Sequence, residues 1–241
     1  MITRSPSLTD QVRAHIKQQI ADGGFADGRI PPETELAEEL GVSRTTVRDA
    51  LSRLENEGAI YRRQGAGTFV NEHGLQIKSR LEEIWSYEQV LEDHGYVPSV
   101  RIVDEQITEP HESTVDALEL ETGARVLSVA KLFLEDDEPV ILTINRIPSD
   151  LLTSGDYSDD EATPLYEFLE RHCDRALAYY VSEIVPVALD ATTAKTLGVS
   201  EGTVAVSFEE VGYDQDNQPI VQATSYFRDD LLRFGMVRRK A

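Results

Sequence analysis

Two short segments between Ile30 and Glu57 carry apolar residues at helical spacing, with a tight turn between them. In the first, Pro32 suits the start of a helix, Gly41 suits its end, and the buried face consists of Leu36, Ala37 and Leu40. In the second, Ser43 is a good N-cap, and the apolar positions fall at i, i+3, i+4 and i+7, namely Val47, Ala50, Leu51 and Leu54. The pattern predicts helix, turn and helix.

A hairpin is predicted directly after these helices. Gly58 stops the second helix, Ile60 and Tyr61 begin a strand, and Gln64 to Gly67 form a turn before Thr68 to Val70 return. Glycines in that turn allow the backbone a close approach to a partner, which a Cβ would obstruct. Together the elements predict a winged helix-turn-helix.

The outward face of the second helix carries Arg44, Thr45 and Arg48. Arg44 and Arg48 are four residues apart, so they project together. A guanidinium can bond guanine bidentately or clamp a phosphate, and threonine offers a hydroxyl and a methyl group. This face predicts binding to the major groove of double-stranded DNA. The ordinary alternative is a surface helix with solvated arginines.

The first 72 residues resemble the GntR family of transcriptional regulators. The resemblance is carried by Ile30 to Ala37, Gly41 to Leu51, Leu54-Glu55, Glu57-Gly58 and Gly65 to Val70. It implies DNA contacts from the recognition helix and the wing, at Ser43, Arg44, Thr45, Arg48, Gln64, Gly65 and Gly67. Thr34 is included in the predicted interface, although many family members carry an arginine at that position.

The length of the chain, 241 residues, predicts a second domain, because a winged helix needs only about 70. We expect a DNA-binding domain at 1–72, a linker at 73–79 and a further domain at 80–241. Strand patterns occur at about 100–107, 126–134, 140–147, 177–187, 204–213 and 220–228. Helices are predicted at 163–173, at 190–197 and from Leu81, where Ile84, Trp85 and Leu91 form a stripe with Tyr87 at its edge. This order predicts an α+β fold with a largely antiparallel sheet.

The second region is similar to the UTRA effector-binding domain of the HutC subfamily, whose fold resembles chorismate lyase. The matching landmarks are Leu118, Leu120 and Gly123, Glu138 to Val140, Pro164 to Tyr166, Ala194 with Leu197 to Val199, and Gln218 to Ile220. The resemblance implies a small, often anionic effector bound in this domain, which alters affinity for DNA.

Departures from the family pattern argue against carrying over a phosphosugar ligand. Lys131 and Phe133 occupy positions where phosphosugar-binding members have two arginines, and Thr143 and Gln222 replace acidic residues that hold sugar hydroxyls. An anion site remains conceivable from the polar residues Lys131, Arg146, Tyr166, Tyr226 and Arg228. Alternatively, the cations pair with the abundant carboxylates and the tyrosines are ordinary sheet residues.

Charge is distributed unevenly along the chain, whose formal net charge is −21. Residues 1–72 contribute −2 and residues 73–241 contribute −19, whereas Gly41 to Val70 are locally +2. The helix-turn-helix can therefore approach phosphates while the acidic remainder is repelled. Only 5 of the 23 cationic residues are lysine, which suggests a halophilic source; an ordinary acidic protein is the alternative.

Other chemistry is sparse in the sequence. Cys173 is the single cysteine, no stretch approaches the roughly 18 apolar residues of a membrane helix, and no metal or cofactor motif stands out. We therefore expect a cytoplasmic protein without cofactor, metal site or membrane partner.

These patterns predict a ligand-responsive transcriptional regulator, expected to be a repressor and a homodimer on an inverted-repeat operator. A constitutive DNA-binding dimer with a purely structural second domain is one alternative. A lyase-like enzyme is the other, but the sequence offers no convincing acid/base pair and the winged helix would be unexplained.

Overall fold

The computed structural model describes residues 7–75, 79–81, 84–153, 163–228, 232 and 234–238. Their contacts divide the chain into two compact units. Unit 1 comprises Met1–Arg80 and Phe234–Ala241, and unit 2 comprises Leu81–Arg233. The sequence analysis had placed the end of the second domain at Ala241. In the structure unit 2 ends at Arg233, because Phe234–Ala241 belong to unit 1.

Unit 1 begins with three helices and a small sheet. The elements are α1 (Leu8–Ala21), β1 (Arg29–Ile30), α2 (Glu33–Leu40), α3 (Arg44–Asn56), β2 (Ile60–Arg63) and β3 (Gly67–Val70), with the strands in the order β1-β3-β2. The predicted helix-turn-helix and hairpin are confirmed. Gly41 ends α2 in the left-handed conformation, at φ 64°. The side chain of Ser43 accepts a hydrogen bond from the Thr46 amide and so caps α3.

Helix α1 was not predicted from the sequence, yet it supplies a quarter of the buried apolar residues in the core cluster of unit 1. Val12, Ile16 and Ile20 are buried against Leu51, Leu54 and their neighbours. Two short ion pairs join α1 to the region of α3: Arg13 with Glu57 and Arg53 with Asp10, each at 2.6 Å. These contacts fix the buried face of α3 and leave its opposite face exposed.

Unit 2 contains a six-stranded antiparallel sheet, which confirms the predicted α+β architecture. Its strands are β5 (Pro98–Thr108), β6 (Val126–Glu135), β7 (Glu138–Pro148), β8 (Leu177–Ala188), β9 (Val204–Asp214) and β10 (Pro219–Phe227). Their order is β5-β6-β7-β10-β9-β8, so β5 and β8 are the edge strands. The helices are α5 (Tyr87–Asp93), α6 (Glu112–Ala117), α7 (Leu165–Cys173) and α8 (Ala191–Thr196).

Two apolar clusters cover different parts of the sheet. Side chains alternate along a strand, and directly paired residues of antiparallel strands share a face. We call the face that carries Thr143 the first face and the face that carries Leu142 the second face. The region of α8 packs on the second face through Ala194 and Leu197. Leu169 and Cys173 of α7 pack against Ile147 and Val221, which lie on the first face.

The sequence predicted a helix from Leu81, and its predicted first residue is wrong. Residues 84–86 are not helical, residues 82–83 lie outside the described part of the chain, and α5 begins at Tyr87. Ser86 accepts a hydrogen bond from the Gln89 amide and is the N-cap. Trp85, before the helix, and Tyr87, its first residue, both pack against phenylalanines of the sheet. The predicted apolar stripe therefore combines a non-helical segment with the start of α5.

The remaining elements belong to unit 1. Helix α4 (Glu72–Leu75) follows β3, and β4 (Ser79–Arg80) pairs in parallel with β11 (Phe234–Gly235). The linker expected at 73–79 is thus partly structured. Val237, beyond β11, lies against Gly58: a Cβ built on Gly58 would be 2.6 Å from Val237 Cγ2. Phe234, Gly235 and Val237 are therefore packed within the unit that contains the DNA-binding elements.

Candidate functional site

The exposed face of α3 presents all the recognition-helix residues that the sequence singled out. Arg44, Thr45 and Arg48 are exposed, and Arg44 makes no hydrogen bond or ion pair with any other described residue. Ser43 is also exposed, but its hydroxyl lies 3.1 Å from the Thr46 amide nitrogen and 2.8 Å from Thr46 Oγ1. Its main local role is therefore to cap the helix.

A carboxylate at the start of α2 links this face to the hairpin. Glu33 lies 3.4 Å from Arg48 and 3.8 Å from Arg62 of β2. Arg62 also contacts Glu55 at 3.3 Å and Ser52 at 3.4 Å. Thr34, next to Glu33, is exposed and makes no hydrogen bond to another described residue. Helix α2, the recognition helix and the wing therefore present one continuous polar surface.

The wing turn is open to solvent at Gln64, Gly65 and Gly67. Gly65 and Gly67 have φ of 76° and 118°, a region that residues with a Cβ rarely adopt. Arg29 of β1 donates a hydrogen bond to the Ala66 carbonyl at 3.2 Å, with its guanidinium 3.6 Å from the position of a Cβ on Gly67. Arg29 thus adds a cation to the wing.

Sequence reasoning missed Arg29 and Glu33 as members of this surface. Arg29 is brought there by the pairing of β1 with β3, where it stands opposite Phe69. A two-residue strand has no periodicity, so no local pattern could have indicated this pairing. Glu33 precedes the apolar positions of α2 in the sequence, and only the folded arrangement shows that its carboxylate is the partner of two arginines.

The first face of the sheet in unit 2 carries a row of polar residues between two apolar regions. Across the paired strands β6, β7 and β10, Lys131 stands opposite Thr143, and Thr143 opposite Ser225. The next row on this face contains Asn145, Ala223, Glu210 and Ser182. We call the six polar members the polar stripe: Lys131, Thr143, Asn145, Ser182, Glu210 and Ser225.

Aromatic packing borders the polar stripe on one side. Tyr87 makes edge contacts with Phe133 and Phe227, and Trp85 lies near Tyr87 and Phe208. The Tyr87 hydroxyl donates to Ser225 Oγ at 2.7 Å. Burial, together with the negative charge of Glu210, raises the pKa of Tyr87 well above its ordinary value. The residues of α7 border the other side.

Lys131 is the cationic member of the polar stripe. Its Nζ donates to the Thr163 carbonyl at 2.8 Å, and Thr163 is buried just before α7. The positive charge of Lys131 also acts on Glu88 of α5, where burial raises the carboxyl pKa and Lys131 partly offsets that effect. The ammonium group thus has one carbonyl and one carboxylate close by.

The other predicted effector residues are not gathered around Lys131. Arg146 and Tyr226 lie on the second face, where Arg146 is 3.5 Å from Thr224 Oγ1 and where burial lowers the pKa of Arg146 and raises that of Tyr226. Tyr166 is exposed on α7. Arg228 follows β10 and donates to the Pro139 carbonyl at 3.0 Å. The structure therefore brings Arg146 and Tyr226 together, but separates them from Lys131.

Several polar stripe members had no prior assignment as site residues. Asn145, Ser225 and Glu210 lie within apolar strands, where single polar residues attract little notice. Their signal is positional: each falls on the strand parity that the register turns toward the same face. Tyr87 had been assigned to the edge of a helical stripe, whereas its hydroxyl reaches the sheet.

Family models match both units. Residues 8–70 match the model described as bacterial regulatory proteins, gntR family, and residues 93–233 match the UTRA domain, which covers more than half of the chain. The chain belongs to the UTRA-containing GntR regulators. The fold and the family expected from the sequence are thereby confirmed, and the chain is a transcriptional regulator of the GntR and UTRA type.

Similar proteins of this GntR group span almost the whole chain. The transcriptional repressor NagR of Bacillus subtilis is 28% identical over 226 residues, which are 93% of this chain and 91% of NagR. The transcriptional regulator Rv0792c of Mycobacterium tuberculosis is 27% identical over 242 residues, covering 98% and 86%. These relatives are regulators, so the enzyme alternative is not supported.

Solved structures agree with the fold of this GntR regulator. The structure of PhnF from Mycobacterium smegmatis is 28% identical, with a TM-score of 0.61, and covers 95% of this chain and 100% of that chain. The possible transcriptional regulator YydK from Bacillus subtilis has a TM-score of 0.76 at 16% identity, covering 98% and 100%, and shows the fold alone.

The described residues of this GntR regulator contain neither a cluster suited to a metal ion nor a helix suited to a membrane. In that part of the chain, no three His, Cys, Asp or Glu side chains are grouped in a way that could hold a metal ion. None of the helices found there is both long and apolar enough to cross a membrane.

Proposed function

We propose that this GntR regulator represses transcription as a homodimer on an inverted-repeat operator, and that a small molecule bound in unit 2 controls operator affinity. The observation that carries the proposal is the exposed polar surface formed by α2, α3 and the wing, where Arg44 is exposed and bonded to no other described side chain. The description of the relative NagR as a repressor supports the direction of control.

In this proposal α3 enters the major groove. Arg44 and Thr45 contact base edges or phosphates, and Thr34 and Ser43 supply hydroxyls at the backbone. Arg48 exchanges its contact with Glu33 for a phosphate, because both partners are exposed enough to be hydrated and their pairing in water is weak. Gln64, Gly65 and Gly67 follow the adjacent minor groove, assisted by Arg29 and Arg62.

The proposed dimer contact lies in unit 2 at edge strand β8. This strand has 12 residues and exposes large apolar side chains at Tyr179, Val181 and Ile184. An exposed apolar edge is a template for pairing with another chain. A second copy of the same surface would close a two-fold dimer, which matches two inverted half-sites.

The proposed effector site is the polar stripe on the first face, with Lys131 as its cation. Thr143, Asn145 and Ser225 provide hydroxyl and amide groups beside it, and Trp85 and Tyr87 provide an aromatic border. Tyr166 on the neighbouring helix stays a candidate contact. Arg146, Tyr226 and Arg228 are not included, because the first two lie on the second face and Arg228 is bonded to Pro139.

DNA binding can be tested without knowing the operator. A random double-stranded library selected on the purified protein should yield an inverted repeat. Replacing Arg44 by Ala should then weaken binding to the selected sequence by about tenfold or more, since one bidentate contact is worth roughly 1 to 3 kcal/mol. Arg101→Ala removes one exposed charge from unit 2 and serves as the control. An equal loss in both variants would show that charge alone matters, and would contradict the proposed recognition helix.

The dimer and the control by effector need separate measurements. Sedimentation should show that Val181→Glu dissociates the dimer, whereas Val103→Glu on the opposite edge strand β5 leaves it intact. In a reporter strain, the selected sequence placed at a promoter should lower expression when the protein is present. If no metabolite in a broad panel changes operator affinity, the protein is a constitutive binder and the proposed control fails.

A further inference from the structure

Glu210 is an unusual residue to find on an inner part of the sheet. It lies on β9 in the polar stripe, half-buried, opposite Ala223 of β10 and Ser182 of β8. Ser182 Oγ donates a hydrogen bond to Glu210 Oε1. Among the described residues no cationic side chain pairs with this carboxylate, and burial raises its pKa. A carboxylate in such a place is costly unless a positive group accompanies it.

The neighbours of Glu210 on the first face are small or neutral side chains. Its cross-strand neighbour Ala223 is the smallest side chain in the polar stripe rows, and Asn145 lies beyond Ala223 on β7. Ser182 on the edge strand β8 is exposed, so this end of the stripe reaches solvent. A small molecule arriving from the β8 side would meet the carboxylate first.

Lys131 lies at the other end of the same stripe. Three strand spacings and one two-residue step separate the two residues, which corresponds to roughly 16 Å between their backbones. Thr143, Asn145 and Ser225 fill the interval with neutral hydrogen-bonding groups. The first face therefore carries a positive group and a negative group at opposite ends of a polar path.

The balance of charge on this face disfavours a strongly anionic ligand. One ammonium group, Lys131, stands against two carboxyl groups: Glu210 in the polar stripe, and Glu88 of α5, which is close enough to Lys131 for their charges to interact. A phosphate group with two negative charges would meet more repulsion than attraction there. The expectation of an anionic effector came from the family resemblance and from Lys131, Arg146, Tyr166, Tyr226 and Arg228. Of these residues, Lys131 lies on the first face, whereas Arg146 lies on the second.

We propose that the effector is a small dipolar molecule, with a protonated nitrogen that binds Glu210 and a carboxylate that binds Lys131. A nitrogen of this kind supplies a positive partner that no cation among the described residues supplies to Glu210, and the carboxylate lies at the Lys131 end of the stripe, beside Thr143. The inference rests on the proposed function, because it names the class of ligand for the same site.

The test is a thermal-stability panel built from matched sets of compounds. Each set contains a zwitterion, the corresponding carboxylate without nitrogen and the corresponding amine without carboxylate, for example 5-aminovalerate, valerate and pentylamine; proteinogenic amino acids with their 2-oxo acids, and sugar phosphates, complete the panel. Zwitterions should raise the unfolding temperature of the full-length protein, because ligands stabilise the state they bind. The single-charge relatives should not.

Variants then locate the two contacts. Glu210→Gln should weaken binding of the stabilising zwitterion at least tenfold and bring its affinity close to that of the parent carboxylate. Glu209→Gln removes the same charge from the adjacent exposed residue on the second face and should change nothing. Ser182→Ala removes the hydrogen bond to Glu210 but keeps the carboxyl group, so it should weaken binding only modestly. This second variant keeps the test valid if Glu210→Gln fails to fold.

Two outcomes would overturn the inference. One is stabilisation by phosphosugars or dicarboxylates that Glu210→Gln leaves unchanged or strengthens. The other is a panel in which no zwitterion stabilises the protein. Either result leaves the proposed regulation standing if some compound still alters affinity for the selected operator, whereas the absence of any such compound removes the proposed regulation itself.

Discussion

Ser43 illustrates how one side chain can serve both stability and recognition. Its oxygen accepts the Thr46 amide of the first turn of α3, and it also lies at the edge of the surface assigned to DNA. Helix amides at that end have no other partner within the helix. The helix that must enter the groove therefore depends on a residue that borders the same groove.

Replacing Ser43 by Ala should lower the stability of α3 by about 1 kcal/mol, whereas Gly should cost only a few tenths, because glycine tolerates the cap position. Hydrogen exchange of the α3 amides, followed by mass spectrometry, measures this directly. Comparing operator affinity of the Gly variant with that of the wild type then isolates the loss of the hydroxyl. Unchanged protection in the Ala variant would show that the cap is unimportant.

Glu210 leads to a prediction about pH. Because burial raises its pKa in the folded state, the folded protein holds the proton more tightly than the unfolded chain. Stability from this group is complete below the ordinary value of 4.5 and is lost as pH rises through the raised folded pKa. Wild type should therefore lose stability relative to Glu210→Gln between pH 4.5 and neutrality, as measured by urea unfolding at a series of pH values. A constant difference would mean that Glu210 is hydrated like a surface residue.

At the scale of elements, the six strands of unit 2 were predicted to within a few residues, because alternating and apolar runs are local signals. The faces were harder to obtain, as Lys131 and Arg146 show. The turn pairs Glu135 with Glu138, and this register, continued without a break, would put Lys131 and Arg146 on one face. An irregularity between Phe133 and Leu134 shifts the pairing by one residue and turns Arg146 to the opposite face. Nothing in the sequence marks that shift.

The DNA-binding surface was easier to predict, because its residues follow each other on one helix and one hairpin. The contribution of Arg29 depended on a two-residue strand and was missed. Helix α1 was missed as well, although Val12, Ile16 and Ile20 recur at helical spacing. The features missed from the sequence were therefore mostly pairings between strands far apart in the chain, which depend on many residues at once.

A substitution at Gly212 would test how tightly the side chains pack around this position of β9. A Cβ there would lie 2.7 Å from Val221 Cγ1, 2.8 Å from Leu177 Cδ1 and 2.9 Å from Tyr180 Cε1. Gly212→Ala should destabilise unit 2 by about 1 to 3 kcal/mol, in line with overpacked cores. The fluorescence of Trp85, the single tryptophan of the chain, reports unfolding of this unit in urea. A double variant with Leu177→Ala should recover part of the loss, and full additivity would contradict the contact.

For the whole molecule, the chain crosses from unit 1 to unit 2 and back again. After β10, which carries Ser225 of the polar stripe, the chain returns to unit 1 through β11 and Val237. Two covalent connections therefore join the units, near residues 80 and 233. Within unit 1, Val237 then lies against Gly58, which follows the end of the recognition helix.

A double-mutant cycle on Gly58 and Val237 tests this return. Gly58 has φ 72° and would place a Cβ 2.6 Å from Val237 Cγ2, so Gly58→Ala should cost about 2 kcal/mol through strain and contact. Val237→Ala should relieve the contact part, which gives a coupling of about 0.5 to 1 kcal/mol between the two sites. Calorimetry of the four proteins supplies the values. Additive losses would mean that the C-terminal segment does not pack at Gly58 in solution.

The concentration of acid in the second part of the chain makes stability depend on salt. With 33 Asp and Glu against 14 Lys and Arg among residues 73–241, self-repulsion opposes the folded state until ions screen it. The unfolding temperature should rise as KCl is increased from 0.1 to 1 M, where the screening length falls to about 3 Å. A variant with Asp104→Asn, Glu105→Gln and Glu183→Gln, all exposed, should show a smaller rise, which separates screening from general salt effects on burial. If the unfolding temperature stayed constant or fell as KCl increased, the protein would be an ordinary acidic protein. A protein adapted to a salty cell interior needs ions to screen its own charge.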